Sequence, residues 1–293
     1  LSLSILSSIA SLRAQRKLAE TGRELEKTLE RLASGQRIHR AGDDAAGLAV
    51  STLLKRDERV ERTAIRNAND GISLVSIGDS ALGEIANILQ RMAELAEQAA
   101  NDIITTRQRS PLQQEFDALG SEIERIARTT TFNGLNVISD GLRVAVQVGL
   151  NGQADSRYTI GGVQGTLNSL SLTNQGSDAL SYSINGATQI EAQAAARTAL
   201  DAVLAAMTEV SFRRGSLGAD ESRLSSSLQT LTSARENYIA ANSRIEDVDV
   251  ATETANLVRL QILQNVQTAI LAQANQQPAI VLRLIEATRG TES

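Results

Sequence analysis

Two carboxylates stand side by side at Asp43 and Asp44, an arrangement in which one could serve as acid and its neighbour as base. The same pair opens an apolar-periodic run. There a side-chain oxygen satisfies free backbone N–H groups and a negative charge meets the positive end of the helix dipole. Capping is the reading adopted, with Asp43 as N-cap. The only histidine, His39, has no second His or Cys with which to complete a metal site, and it reads as a loop residue. With Arg37 and Arg40 it forms a small basic cluster. The cluster is solvated by default, with the acidic face of a neighbouring subunit as the alternative. Arg213 and Arg214 read as solvated helix charges. Arg91 and Leu95 are four apart and share a helical face, which sets a planar multi-donor group beside an apolar one. None of the 293 residues is Cys, which excludes disulfides, thiol catalysis and zinc–thiolate sites. No phosphate loop, nucleophile elbow or metal motif occurs, so neither an enzyme nor a cofactor is expected.

The elements that position these residues are mostly helices. Hydrophobic residues make up 42% of the chain and aromatics only 2%, so the apolar content is Ala, Leu, Ile and Val, the palette of long, closely packed helices. Leu18, Leu25, Leu29 and Leu32 form the stripe of a first helix, and Gly35 stops it. A second, long helix follows from Asp43 to Ala100, about 85 Å at 1.5 Å per residue. Its stripe is Val60, Ala64, Ala68, Gly71, Val75, Leu82, Leu89, Met92, Ala96 and Ala99. Ser110, Pro111 and Gln113 read as the start of a third helix carrying Leu112, Phe116, Leu119, Ile123 and Ile126. Alternation from Leu142 to Gly149 predicts a strand, the Asn151-Gly152 turn follows, and Tyr158 to Ile160 is its return. Residues 161–188 are rich in Gly, Ser, Thr and Asn and read as a loop or small β excursion able to accept insertions. Heptads resume through Leu217, Leu224, Leu228, Leu231, Tyr238 and Ile245. They continue through Val248, Ala251, Ala255, Val258, Ile262 and Val266 to Ala269, before Pro278 and an apolar tail from Ala279 to Ile285.

The fold class expected is mainly α: a coiled-coil-like rod of long helices, paired N- and C-terminal helices and a small central β-hairpin. A single pair of terminal helices cannot bury stripes of this length, which predicts association between copies. The net charge of −5 argues against a nucleic-acid binder. No run of 18 or more apolar residues predicts a membrane-spanning helix, and the Ser-interrupted start lacks the basic lead of a cleaved secretory signal.

Several ordered segments together resemble bacterial flagellin. They include Leu29-Glu30-Arg31-Leu32-Ala33-Ser34-Gly35, Asp43-Asp44-Ala45-Ala46-Gly47-Leu48-Ala49 and Arg66-Asn67-Ala68-Asn69-Asp70-Gly71-Ile72-Ser73. Thr131-Phe132-Asn133-Gly134, Ser243-Arg244-Ile245-Glu246-Asp247 and Gln264 to Leu284 also match. The sequence departs at Leu6, Ser7 and Ser8, where the family has Asn and Thr, and at the additional Glu286 to Ser293.

The resemblance implies a structural subunit that self-assembles into an extracellular filament for motility, without large variable outer domains. A hook–filament junction protein of the same superfamily and a secreted coiled-coil effector are the alternatives. It implies residues 1–42 and 243–293 as an inner, filament-core domain and 43–160 with 189–242 as an outer rod, with 161–188 a short variable region. Partners implied are other copies, the flagellar export apparatus and its chaperone, the filament cap and the hook-junction proteins. Filament-interface candidates are Leu18, Leu25, Leu29, Leu32, Val258, Ile262, Val266 and Ile270. Arg91, Leu95 and Glu115 correspond to the family's contact with a host Toll-like receptor. Thr166, Ser169, Ser171, Thr173, Ser177, Ser181 and Ser183 lie where the family carries O-linked sugars.

Overall fold

In a computed structural model, residues 9–173 and 179–289 are described, with side chains in the last helix to residue 276. The first eight residues, Ser177 and the side chains of the Ala279–Ile285 tail lie outside the described residues. The elements run α1 (Ile9–Ser34), α2 (Ala45–Ala100), α3 (Thr106–Thr129), β1 (Thr131–Phe132), β2 (Leu135–Asn136), β3 (Val144–Gln147), β4 (Arg157–Ile160), α4 (Gln189–Glu246) and α5 (Val250–Arg289). The chain divides into a terminal-helix unit, residues 1–56 with 238–293, and a central unit, residues 57–237. α2 and α4 contribute to both.

The punctuation of the chain is local chemistry. Gly35, at φ 70°, ends α1 in the left-handed region where a side chain would be strained. The N-cap of α2 is Asp44, whose Oδ1 accepts the N–H of Gly47 at 2.8 Å. This corrects the reading of Asp43. The Asp43 carboxylate instead accepts the N–H groups of Arg40 (3.1 Å) and His39 (3.4 Å), which closes the preceding loop. Both carboxylates are thus committed to backbone. α3 starts earlier than the sequence suggested. The Gln108 side chain accepts the N–H of Thr105 at 3.0 Å, so the earlier of two candidate capping boxes wins and Pro111 lies inside the helix. Asn133 and Gly134, at φ 49° and 79°, form the two-residue turn that joins β1 to β2. The expected hairpin is present, with Val144 opposite Ile160 and Gln147 opposite Arg157.

The core of the central unit lies along α2. Leu74, Val75, Leu82, Ile85, Leu89, Met92, Leu95, Ala96 and Ala99 pack with Phe116, Ile123 and Ala127 of α3 and with Ala196, Ala199, Val203, Ala206, Val210, Leu217 and Leu224 of α4. One stretch of α2 is long and apolar enough by composition to cross a membrane, contrary to the sequence reading, and this core takes up its apolar face. Small residues bring the helices close: a Cβ on Gly71 would meet Leu224 at 3.3 Å and Val146 at 3.2 Å. The described parts of the expected loop, residues 161–173 and 179–188, are anchored to the core rather than free at the surface. Val163, Leu167, Leu170, Leu172 and Ile184 are buried in this core. Arg213 explains part of the attachment, donating to the carbonyls of Gln164 and Ser169 and to the Ser169 hydroxyl, while Arg214 pairs with Asp79 at 2.8 Å. Neither arginine is merely solvated. The α2 stripe departs from expectation at one turn, where Val60 points outward and Glu61 is buried.

Candidate assembly surface

In the terminal-helix unit α1 and α5 run antiparallel. Ser11 of α1 donates its hydroxyl to the side-chain oxygen of Asn275 at 2.7 Å, and at the other end Arg31 lies 3.8 Å from Glu253. Spacings of three and four define the seam. Ser11, Ala14, Leu18, Thr21, Leu25, Thr28 and Leu32 are buried or half-buried on α1. Glu253, Leu257, Leu260, Gln264, Gln267, Leu271 and Ala274 answer on α5. The composition of the seam is unusual, because Ser11, Thr21, Thr28 and Glu253 are among its most buried members. The Gln267 Oε1 is buried with no hydrogen-bond partner.

The opposite face of α5 carries an apolar stripe, whereas that of α1 is mostly charged with a few aliphatic residues. On α5, Val258 is 54% exposed, Ile262 57%, Val266 48% and Ile270 52%, with Val250 and Leu263 exposed as well. On α1, Ile9, Leu12 and Leu29 are exposed. Covering apolar area is favourable by roughly 25 cal/mol per Å², so a pair that leaves this aliphatic stripe of α5 in water is incomplete as an isolated object. The candidate interface residues therefore divide. Val258, Ile262, Val266, Ile270 and Leu29 are available to a partner, whereas Leu18, Leu25 and Leu32 belong to the α1–α5 seam.

The loop after α1 is latched to the α4–α5 junction. Arg37 donates its N–H to the Glu246 carbonyl at 2.6 Å, Val248 donates to the Gly35 carbonyl at 3.0 Å, and the Arg37 guanidinium reaches the Ile245 carbonyl at 2.5 Å. Arg40 and His39 both face Glu30, at 2.7 and 3.5 Å. The basic cluster is thus paired within the unit while Arg37, His39 and Arg40 all stay exposed to solvent. Glu246 anchors the latch from α4 while nearly fully buried. It accepts from Lys55 (2.5 Å), Ser51 (2.8 Å) and Asn242 (3.1 Å). Burial would raise its pKa, but the Lys55, Ser51 and Asn242 hydrogen bonds outweigh burial and hold it below the usual glutamate value.

In the central unit, Arg91 and Glu115 are brought together. The guanidinium lies 2.8 Å from Glu115 and 3.0 Å from Glu94, and both members of the Arg91–Glu115 pair are about half exposed. Leu95 is not part of that surface. It is 1% exposed and lies in the core, although it shares a helical side with Arg91. Four residues advance the helix by 400°, so the two side chains differ by about 40°, enough for one to look inward and the other out.

The match to known proteins is extensive. The family model described as the bacterial flagellin N-terminal helical region matches residues 5–141, and that of the C-terminal helical region matches residues 200–285. A flagellin of Halalkalibacterium halodurans is 40% identical over 94% of this chain and 97% of its own length. The chain belongs to the flagellin family. A flagellin of Bacillus subtilis is 37% identical over 94% of this chain and 98% of its own, and a flagellar filament 33 kDa core protein of Treponema phagedenis is 35% identical over 93% and 96%.

In this flagellin the expected modification sites differ in access. The Ser169 hydroxyl donates to the Thr166 carbonyl at 2.9 Å and accepts from Arg213 at 2.9 Å, and the Thr166 hydroxyl accepts the N–H of Ser169 at 3.3 Å. The Thr173 Oγ1 is buried. Ser171, Ser181 and Ser183 are exposed, Ser171 in a left-handed backbone conformation at φ 59°. Arg109 had no role in the sequence reading. It is fully buried, and it holds the C-terminus of α2 through the carbonyls of Ala99 (2.7 Å) and Asn101 (3.0 Å), and α4 through Gln189 Oε1 (2.9 Å). It lies in the first turn of α3, and its role comes from the fold bringing it to the free carbonyls at the end of α2, where a cation is favoured.

Proposed function

We infer that this flagellin is the subunit of an extracellular helical filament, and that the outer apolar stripe of α5, with Ile9, Leu12 and Leu29 of α1, is the surface other copies cover. The observation that carries the reading is the aliphatic stripe left exposed on α5, Val258, Ile262, Val266 and Ile270, beside a seam that already encloses Leu18, Leu25 and Leu32. An interface between different patches on successive copies generates an open helical array when the rotation between copies does not close a ring. Incorporation then removes apolar surface from water, and the terminal helices reach their most stable state only in the assembly. The names of the relatives favour a filament subunit over a junction protein. Export through the flagellar apparatus with a chaperone, capping at the growing end and attachment through hook-junction proteins complete the partners of this reading.

The test is salt-induced polymerisation of the purified protein, followed by sedimentation and electron microscopy. The full chain is expected to form filaments, and a variant lacking residues 245–285 is expected to remain a helical, soluble species. Filaments from the truncated protein would remove the basis of the proposal.

A second reading concerns a host Toll-like receptor. It is favoured by the exposed Arg91–Glu115 pair, and the contact involves those charges without Leu95. Arg91→Ala is expected to weaken signalling by monomer in a reporter assay at unchanged helicity; equal signalling would exclude the contact.

A further inference from the structure

Glu61 occupies a place in α2 that its neighbours in the heptad reserve for small or aliphatic residues. Counting in steps of three and four, the inward positions are Glu61, Ala64, Ala68, Gly71 and Val75. Ala64 and Ala68 form an apolar cluster with Leu231 of α4, edged by Ile65, Leu228 and Val148. Glu61, one turn before Ala64, is 4% exposed, and its Oε2 is buried without a hydrogen-bond partner. The adjacent outward position is held by Val60, an aliphatic residue at the surface. The local pattern is therefore reversed, with the carboxyl inside and the valine outside.

The charged groups nearby do not neutralise this carboxyl. From α4 comes Arg235, whose guanidinium lies 2.8 Å from Glu58. On α2, Arg62 is also spent on Glu58, at 3.0 Å. Asp57, one turn before Glu61, adds repulsion. The hairpin contributes Val148, which carries no charge. Burying an ionised carboxylate without a partner is costly, and the group avoids the cost by taking up a proton or by opening the seam to water.

We propose that Glu61 makes this stretch of the α2–α4 seam an acid-tightened joint: ionised, its carboxylate holds the joint loose, and protonated, it lets the apolar cluster around Ala64, Ala68 and Leu231 close. The direction agrees with the environment of the group, since desolvation first, and Asp57 second, push its pKa above the usual glutamate value. The sign follows from linkage. The folded state binds the proton more tightly than the unfolded state, so the penalty is absent below the ordinary glutamate range. It grows as the pH rises toward the elevated native value and is complete above it. Glu246 has the opposite sign, so the two carboxylates titrate different joints in opposite directions. The proposal concerns the central unit alone and stands independently of the assembly reading.

The experiment compares the full-length wild type with Glu61→Leu and Glu61→Gln, unpolymerised, at pH 5 and pH 7.5. The readouts are thermal unfolding and site-resolved amide hydrogen exchange. At pH 7.5, Glu61→Leu is expected to raise the melting temperature by about 2–4 °C and slow exchange in residues 57–68 and 228–235 several-fold. At pH 5 the difference between wild type and Glu61→Leu narrows, and Glu61→Gln shows no such narrowing against Glu61→Leu. Should Glu61→Leu fail to fold, wild type against Glu61→Gln carries the same comparison. A difference of equal size at both pH values, or wild type the more protected at pH 7.5, overturns the proposal.

Discussion

The apolar outer stripe of α5 is open to a quantitative test through Ile262→Ala with Val266→Ala. Both side chains are about half exposed in the isolated chain, at 57% and 48%, so about half of each remains to be covered by a neighbouring copy. Full burial of such a side chain contributes about 1.5–3 kcal/mol, and the uncovered half therefore about 1 kcal/mol. Alanine retains a methyl group, so the double substitution removes about 1.5 kcal/mol from each addition step. At 1.4 kcal/mol per tenfold, the critical concentration for polymerisation rises about tenfold. The monomer changes little, because outward-facing side chains away from a buried network shift stability by less than about 0.5 kcal/mol. Ile262→Asp is harsher, placing a carboxylate in the covered interface, and should abolish filaments at any practical concentration. The assay is the soluble fraction left after sedimentation across a concentration series, with circular dichroism of the monomer as control. An unchanged critical concentration in the double alanine variant, or filaments of normal length from Ile262→Asp, would refute the assignment of this face.

Leu95→Ala should destabilise the central unit by about 2–5 kcal/mol, the cost of a cavity at a fully buried leucine, while Arg91→Ala costs less than about 1 kcal/mol; thermal melts of the two variants check the ranking. Asp44→Ala should lose about 1 kcal/mol of helix-capping stability and Asp44→Asn much less, read from chemical denaturation of the monomer. The lowered pKa of Glu246 gives the latch stability that is present above the ordinary glutamate value and lost as pH falls through the lower native value. Lys55→Met should flatten that acid limb in a series of melts against pH, and an unaltered limb would assign the acid sensitivity elsewhere.

Much of the architecture was legible because it is written in local periodicity. Three-and-four spacing locates α1, α2, α3 and the terminal helices, alternation locates β3 and β4, and Gly35 and Asn133-Gly134 mark reversals by their backbone freedom. Where local signals competed, reading alone chose wrongly. Thr105–Gln108 and Ser110–Gln113 both satisfy a capping box, and only the contacts of the folded chain select the first. Adjacent residues lie about 100° apart on a helix, so a pattern read by eye slides by one position, as it did from Glu61 to Val60.

The site divides along the same line. That the termini carry apolar stripes and must associate follows from composition and spacing alone, since hydrophobic periodicity is a property of the sequence. Which stripe faces the intramolecular partner is not. Leu18 and Leu29 are equivalent as apolar residues, yet the first lies in the α1–α5 seam and the second is exposed. The polar members of that seam, Ser11, Thr21, Thr28 and Glu253, could not be assigned to it from sequence, because such residues ordinarily mark a solvated face. Residues 161–188 give the same lesson in reverse. Their polar composition suggests a loop, while Leu167, Leu172 and Ile184, scattered without period, are drawn into a core formed by helices distant in sequence. Periodicity determines that a face exists; the neighbour that covers it is decided by long-range packing, whose energy depends on surfaces meeting in space rather than on their order along the chain.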